Sequence, residues 1–286
     1  MSKSFVHLHA HTEYSMLDGA AKIETYLDKV KELNQPGAAI TDHGNLYGAL
    51  EFYYSAMKRN LIPIIGYEAY VINDSRFERP DRENNKRYHL TLLAENTVGY
   101  WNLVNMASKA FTEGYYYKPR VDYELLREYS EGIIALSGCL GGEISQFLAP
   151  DGSTEEGNKE GERSYTKALE KANFYQSIFG DENFYIELHN HGIEQQKLIL
   201  PDLLKISEDI GAPLVATNDS HYVNKEDSSA HDALLCVQTN ATLDDETRFK
   251  FDGSGYHVKS SEEMRKIFPE KTYPKACDNT LEIAER

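Results

Sequence analysis

The chain has 286 residues, enough for one large core or two ordinary domains, and 41% of them are apolar, as in soluble globular proteins. A formal net charge of −16 argues against a generic nucleic-acid binder, which would carry a basic face. Three widely spaced cysteines exclude a disulfide framework and fit a reducing compartment. The sequence shows neither a signal peptide nor an apolar run of roughly 18 residues, so we expect a cytoplasmic location without a membrane partner.

Short apolar, β-branched runs alternate with amphipathic stretches along the chain, which predicts strands alternating with helices. The predicted strands cover residues 5–9, 38–41, 62–71, 89–93, 133–137, 184–188 and 214–217. The predicted helices cover residues 23–33, 47–59, 98–111, 165–178, 195–210 and 230–238. Residues 73–87 and 150–163 are charged or rich in glycine and serine, and they predict exposed loops.

This alternation favours parallel strands joined by helical crossovers. Seven such strands predict an α/β fold of the TIM-barrel type, slightly smaller than the eight-stranded barrel, with an open doubly wound sheet as the alternative. We expect residues 1–240 to form the barrel domain and residues 241–286 to be an appended C-terminal part. The final LEIAER stops without a helix-ending signal, which predicts a fragment of a longer protein.

Two His- and Asp-containing pairs provide the strongest functional pattern. His9 and His11 flank one alanine, and residues two apart in a strand point to the same side. Asp219 and His221 repeat this spacing about 210 positions later, so a barrel that closes its last strand onto its first would bring the pairs together. Most further candidates follow predicted strands, whereas His89 opens its strand; the full set is His9, His11, Asp18, His43, Glu68, His89, Cys139, Asp219 and His221.

These residue types predict a metal centre. Imidazole and carboxylate ligands suit Zn²⁺, Mn²⁺ or Fe²⁺, and a thiolate shifts the preference toward Zn²⁺. Nine ligands exceed the four of one structural zinc site, so we expect two or three divalent ions with Glu68 as a bridge. Paired ions roughly 3.5–4 Å apart are suited to phosphoester hydrolysis. A single His or Asp is more often a satisfied polar group, and Cys139 alone would be a small buried hydrophobe; the joint pattern favours the metal site.

Six segments carry a resemblance to a known family: HLHAHTEYSMLDG, AITDHGNLYGALEFY, PIIGYEAYV, YHLTLLAEN, IALSGCLGGEI and VATNDSHYV. They resemble the polymerase and histidinol phosphatase (PHP) domain, and more narrowly the PHP domain of bacterial DNA polymerase III alpha subunits. The resemblance runs from about Ser4 to the end of the chain. It implies a distorted seven-stranded (β/α) barrel with its metal site at the C-terminal ends of the strands.

The resemblance also implies a trinuclear centre. One ion would take His9, His11, Glu68 and Asp219. A second would take Glu68, His89 and Cys139, and a third would take Asp18, His43 and His221, which are the expected catalytic residues.

Active members of this polymerase group within the family act as 3′–5′ proofreading exonucleases. The resemblance therefore implies a DNA 3′ end as substrate, and the remaining domains of a DNA-directed DNA polymerase and other replisome subunits as partners. Residues 241–286 would lead into that polymerase core. Arg120 and His191 are candidate contacts to phosphate or leaving group, and residues 115–117 could stack on bases. Their structural alternatives are an exposed loop cation, a packed histidine and aromatic packing at the rim.

Two other functions stay open at this point. The first is a free-standing phosphatase that acts on a small phosphomonoester such as histidinol phosphate. The second is a non-catalytic module in which metals stabilise a scaffold. Activity on a primer 3′ end, on a small phosphomonoester, or on neither would separate the three.

Overall fold

The computed structural model describes residues 4–81, 84–150, 163–253 and 255–286. The predicted loop at 150–163 lies outside the described residues, apart from its two ends. In chain order, the elements are α1 (Ile23–Glu32), β1 (Gly37–Ile40), α2 (Ala49–Lys58), β2 (Ile62–Ile72), β3 (Tyr88–Ala94), α3 (Thr97–Thr112), β4 (Arg120–Asp122), α4 (Tyr123–Glu128), β5 (Ile133–Leu136), α5 (Glu143–Leu148), α6 (Tyr165–Phe179), β6 (Phe184–Leu188), α7 (Glu194–Ile210), β7 (Leu214–Ala216), α8 (Ser228–Thr239), α9 (Ser261–Ile267) and α10 (Asp278–Glu285).

The strands form one curled seven-stranded sheet in the order β1-β2-β3-β5-β6-β7, with β4 paired to the far end of β2. The N-terminal segment closes the curl. Its His7 oxygen accepts from the Ala39 amide at 2.7 Å, and its His11 amide donates to the Ser220 oxygen, also at 2.7 Å. The segment therefore lies between β1 and the chain that follows β7, and it joins the two edges of the sheet.

Three sequence expectations need correction. Residues 5–9 do not form a regular strand, because only His7 among them makes a bridge, to Ala38, while the bridge to Ser220 is made by Ala10. The strands are not all parallel, since β3 runs antiparallel to both β2 and β5. The described part of the 73–87 loop contains neither an α-helix nor a strand, which suits an antiparallel connection. The sequence does not predict strand β4, because a strand of three residues is too short to show a periodic pattern.

The buried strands explain why the barrel forms. All residues of β1 and β6 are buried, as expected for strands covered on both faces. Helix α1 packs outside the sheet and buries Ile23, Leu27 and Val30, which recur at helical spacing along one face. Each such side chain stabilises the fold by roughly 1.5–3 kcal/mol. This packing brings the strand ends to one rim, where polar side chains can meet.

The C-terminal stretch shares the barrel's core. Met264, Phe268 and Cys277 are buried in the largest hydrophobic cluster. The Thr280 hydroxyl accepts from the Val6 amide at 3.2 Å, so this stretch also fixes the start of the N-terminal segment. None of the described helices has both the length and the apolar character that a membrane crossing requires.

Candidate metal centre

All nine side chains that the sequence singles out meet at one rim of the barrel. His43 follows β1, Cys139 follows β5, and Glu68 lies within β2 at the level of His43. His89 lies at the start of β3, which is the same rim, because β3 runs antiparallel to its neighbours. The position of His89, anomalous in a parallel sheet, is thus explained by the strand reversal.

The deepest part of the cluster joins the N-terminal segment to the residues that follow β7. The Nε2 atoms of His9 and His11 lie 3.2 Å apart. Each lies near Oδ1 of Asp219, at 3.4 Å for His9 and 3.1 Å for His11. Asp219 has φ 45°, a left-handed conformation that turns its carboxylate back toward the N-terminal segment. The two pairs about 210 positions apart therefore do meet.

A second group surrounds Asp18. Its Oδ2 atom lies 3.0 Å from Nε2 of His43 and 2.9 Å from Nε2 of His221. Burial by itself raises the pKa of Asp18, but His221 and His43 outweigh it and hold that pKa well below its usual range. Burial lowers the pKa of His43, but Glu68 and Asp18 raise it to about 10. Without a metal ion, the histidines supply the positive charge that these buried carboxylates need.

Glu68 contacts every part of the cluster. Its Oε1 lies 3.4 Å from Nε2 of His9 and 3.1 Å from Nδ1 of His89, and its Oε2 lies 2.6 Å from Nδ1 of His43. The Cys139 sulfur is 3.8 Å from Oε1 of Glu68 and 3.7 Å from Nδ1 of His89. Burial, together with Glu68 and Asp219, raises the pKa of the Cys139 thiol well above its usual value. A bound cation would reverse that effect, because a coordinating thiol loses its proton.

Several buried atoms of the cluster fit a metal ion better than they fit each other. Nδ1 of His43, Oε2 of Glu68 and Oδ1 of Asp219 have no hydrogen-bond partner among the described residues. The 2.6 Å approach of Nδ1 of His43 to Oε2 of Glu68 lacks hydrogen-bond angles. A buried acceptor without a donor costs about 1–3 kcal/mol, which a cation would remove. The side chains form compact groups that could hold ions: His11, Asp18, His43 and His221; His9, His11 and Asp219; and His43, Glu68 and His89.

Residues that the sequence analysis did not identify form hydrogen bonds with the candidate ligands on the side away from the cluster centre. The Ser15 hydroxyl lies 2.9 Å from Nδ1 of His11 and donates to Asp42 at 2.6 Å. Nδ1 of His9 donates to Glu187 at 2.8 Å, and Nε2 of His231 donates to the Asp18 backbone oxygen at 2.7 Å. A signal for Glu187 was present, since a carboxylate within the buried strand FYIEL needs a partner.

The cluster forms the floor of an open cavity of about 440 Å³. Three cationic side chains, Arg87, Lys118 and Lys250, line it beside the metal-ligand candidates. Eight aromatic side chains also line the cavity: Tyr47, Tyr70, Phe111, Tyr115, Tyr117, Phe249, Phe251 and Tyr256. The cavity therefore combines a polar floor with an aromatic and cationic entrance.

The two predicted substrate contacts lie elsewhere. Arg120 is buried, and its guanidinium donates to the backbone oxygens of Gly114, Arg76 and Glu78 at 2.7–2.9 Å. It is neither an exposed loop cation nor one of the described residues that line the cavity. The sequence could not reveal this, because a side chain's burial depends on what packs over it.

His191 also uses both ring nitrogens within the protein. Its Nε2 donates to the Asn218 oxygen at 2.8 Å, and its Nδ1 accepts from Gln196 at 2.9 Å. Its ring stacks on Tyr256 with centroids 3.9 Å apart. The structure therefore brings neither Arg120 nor His191 to the cavity surface, whereas it does bring Tyr115 and Tyr117 there.

Comparison with known proteins gives consistent results. A family model described as the PHP domain matches residues 7–191. The chain is 45% identical to DNA polymerase III subunit alpha of Saccharopolyspora erythraea, over 99% of this chain and 24% of that protein. It is 48% identical to the subunit of the same name from Thermus aquaticus, over 98% of this chain and 22% of that protein. The chain thus spans about a quarter of the length of these curated relatives.

A solved structure supports the fold. A protein from Bifidobacterium adolescentis assigned as a metal-dependent phosphoesterase superposes with a TM-score of 0.50 at 13% identity. The match covers 93% of this chain and 96% of that one. At this identity the similarity concerns the fold, and it agrees with the distorted barrel predicted from the sequence.

Proposed function

This chain belongs to the PHP domain family, and we propose that it is a metal-dependent phosphoesterase domain that removes nucleotides from DNA 3′ ends. The observation that supports this most directly is the cluster of nine ligand-type side chains, seven of which line an open cavity while His9 and His11 lie buried beneath them. Buried lone pairs without donors at His43, Glu68 and Asp219 suit bound cations.

We assign the ligands by their contacts. His9, His11 and Asp219 would hold one ion together with Glu68. Glu68, His89 and Cys139 would hold a second, and Asp18, His43 and His221 a third, with Zn²⁺ preferred over Mn²⁺ or Fe²⁺ because of the thiolate. Divalent ions held there would neutralise charge on a phosphate and make water a stronger acid.

The protein's own groups would bind and orient the substrate. Lys118 and Lys250 line the cavity with ammonium groups that can contact phosphate oxygens. The Lys118 ammonium lies 5.2 Å from the ring centre of Tyr70, which keeps it beside the cavity. These lysines replace Arg120 as the proposed phosphate contacts, because the guanidinium of Arg120 is occupied by backbone oxygens.

The aromatic entrance favours a nucleotide over a small phosphomonoester. The side chains of Tyr47, Tyr115 and Tyr117 are 53–60% exposed at the mouth of the cavity. Exposed rings can stack on unpaired bases, with each base contributing about 1–3 kcal/mol. A small phosphomonoester bound at the floor would not need them. The net charge of −16 predicts weak DNA affinity for this chain alone. We therefore propose that, as in a polymerase III alpha subunit, further domains and replisome subunits supply the remaining DNA contacts.

The test combines elemental analysis with hydrolysis assays on one sample of the 286-residue chain. The substrates are a 3′-mismatched primer and histidinol phosphate. We expect bound metal, loss of 3′ nucleotides, and a roughly 10²-fold lower rate in Asp18→Asn, with the fold of the variant retained. Asp28→Asn, at an exposed aspartate paired with Arg59, is the matched control and should act as the parent does.

The other outcomes favour the competing functions. Hydrolysis of histidinol phosphate alone would favour a phosphatase, and bound metal without turnover on either substrate would favour a scaffold. An Asp18→Asn variant as fast as the parent would show that this centre is not the active one. For the phosphate contacts, Lys118→Ala and Lys250→Ala should raise KM for DNA severalfold and weaken its salt dependence. Unchanged KM in both variants would remove these lysines from the proposal.

A further inference from the structure

We infer that Glu187 is a positioning residue that fixes two separate candidate metal ligands. It orients the ring of His9 and holds the loop that carries Cys139. This inference rests on the proposed metal centre, and it concerns a residue that we do not place among the nine ligands. Glu187 lies in the middle of β6 and is 1% exposed, so it cannot reach the cavity or a substrate.

The carboxylate of Glu187 is surrounded by donors. Its oxygens accept from side chains of the N-terminal segment, of β3 and of the residues that follow β6 and β7, and from one backbone amide after β5. The contacts are Nδ1 of His9 at 2.8 Å, Oγ1 of Thr217 at 2.6 Å, Nε2 of His189 at 3.0 Å, Oγ1 of Thr91 at 3.4 Å and the Gly138 amide at 2.9 Å. One buried side chain thus connects five places in the barrel.

The first consequence concerns the tautomer of His9. A carboxylate only accepts hydrogen bonds, so Nδ1 of His9 must carry the proton at this contact. Nε2 is then free to present its lone pair toward Asp219 and Glu68, each 3.4 Å away. This is the arrangement in which a carboxylate behind a histidine fixes the ring and raises its basicity as a ligand.

The second consequence concerns the loop that carries Cys139. The Gly138 amide donates to Oε2 of Glu187, and Gly138 has φ 87°, a left-handed conformation that favours glycine. A Cβ at Gly138 would lie 2.5 Å from the His89 backbone oxygen, so the loop passes too close to β3 for a side chain. Glu187 therefore holds the loop where the Cys139 sulfur faces Glu68 and His89.

A fourth ion at this place is the competing explanation. Atoms of His9, Glu187 and His189 do lie close enough to one another to surround a cation. However, the Thr217 hydroxyl lies 2.6 Å from Glu187 and 2.7 Å from Nε2 of His189, so it occupies the space between them. Both carboxylate oxygens already have donors at hydrogen-bond distance. A hydrogen-bonded hub explains the geometry without an ion.

Glu187→Gln tests the inference because glutamine keeps the shape but replaces one acceptor oxygen with a donor. We expect it to weaken binding of at least one Zn²⁺ ion by about 10–100-fold, measured by competition with a chromophoric chelator on metal-free chain. Glu143→Gln is the control. Glu143 is equally buried at 1% exposure and accepts from Tyr175 at 2.7 Å, without any described contact to the nine ligands.

The outcomes separate the possible explanations. Unchanged Zn²⁺ affinity in Glu187→Gln overturns the inference, and so does an equal loss in both variants, since that would reflect general destabilisation. A parent chain that binds no Zn²⁺ overturns the proposed function first and this inference with it. If Glu187→Gln does not fold, ¹⁵N NMR of the Zn²⁺-loaded parent decides. A protonated Nδ1 and a metal-shifted Nε2 at His9 support the role, and the reverse tautomer overturns it.

Discussion

The inner and outer sides of the candidate metal centre are built differently. The inner ligands, His9, His11 and His221, are at most 2% exposed. In each of them the protein holds Nδ1. The partners are Glu187 for His9 at 2.8 Å, the Ser15 hydroxyl for His11 at 2.9 Å, and the Asp219 backbone oxygen for His221 at 2.8 Å. The orientation of the inner rings is therefore set by the fold.

The outer ligands, His43, His89 and Cys139, also line the cavity and are more exposed to it. The side chains of His43 and His89 are 18% and 20% exposed. Their close polar side-chain partners are carboxylates of the cluster itself, Asp18 and Glu68. The inner rings are thus preorganised by two side chains outside the cluster and one backbone oxygen, whereas the outer side depends on the charges of the ligands themselves. We therefore expect ions to exchange, and substrate to enter, at the outer side.

Glu68 and Asp18 both contact ligands on the two sides, but Glu68 contacts more of them, so its removal should have the largest effect. Glu68→Gln takes a negative charge from beside His9, His43 and His89. We expect activity to fall by about 10³-fold, equivalent to about 4 kcal/mol of transition-state stabilisation, with loss of at least one ion per chain. Steady-state hydrolysis and elemental analysis measure both quantities. A variant within threefold of the parent and with full metal content would remove Glu68 as the bridge.

Cys139→Ser changes the outer side alone and should have a smaller effect. A thiolate favours Zn²⁺, whereas a hydroxyl does not. We expect Zn²⁺ affinity to fall by about 10–100-fold, or about 1.4–2.8 kcal/mol, with little change for Mn²⁺. Competition titrations with each metal test this, and Cys236→Ser provides a buried cysteine outside the cluster as control. Equal losses for both metals would contradict a ligand role for the sulfur.

His191→Gln concerns the inner side and has the smallest expected effect. Burial, helped by His189, lowers the pKa of His191 to about 3, against about 6.5 in an unfolded chain. As pH falls below about 6, His191 binds a proton in the unfolded state but not in the folded state. The free energy of unfolding therefore decreases at acidic pH.

The parent should therefore lose stability relative to His191→Gln by up to about 1.4 kcal/mol between pH 6 and pH 5. Urea unfolding of both metal-free chains at pH 8, 6 and 5 measures this change. At pH 8 the parent should be the more stable, because the glutamine lacks the ring that stacks on Tyr256. A constant difference across this range would show that His191 is not held neutral by the fold.

Much of the fold was predictable because buried strands and amphipathic helices carry periodic patterns. Strand β6 begins and ends at the predicted residues, and most other strands agree within one or two positions. The reversal of β3 was not predicted, although a 73–87 loop without helical periodicity suits an antiparallel connection better than a parallel one. Strand direction depends on which neighbour a strand pairs with, and a local pattern does not contain that information.

The site was predictable to the extent that chemistry is visible in residue types. The spacing of His9 and His11 indicated one shared side, and the structure brings all nine candidates to one rim. Arg120 was different, because a guanidinium is equally suited to phosphate and to backbone oxygens. No sequence pattern indicates a role for Lys118 and Lys250, since isolated lysines are ordinary surface residues.

By itself, the sequence determined the kinds of ligand, the alternation of strands and helices, and the family resemblance, because residue identity and periodicity are local properties. The tertiary structure decided which side chains contact one another. It joined His9 to Asp219 and Glu187, placed His89 at the common rim by reversing β3, and buried Arg120 among carbonyl oxygens. These outcomes depend on contacts between residues far apart in the chain, and only packing of the whole barrel fixes such contacts.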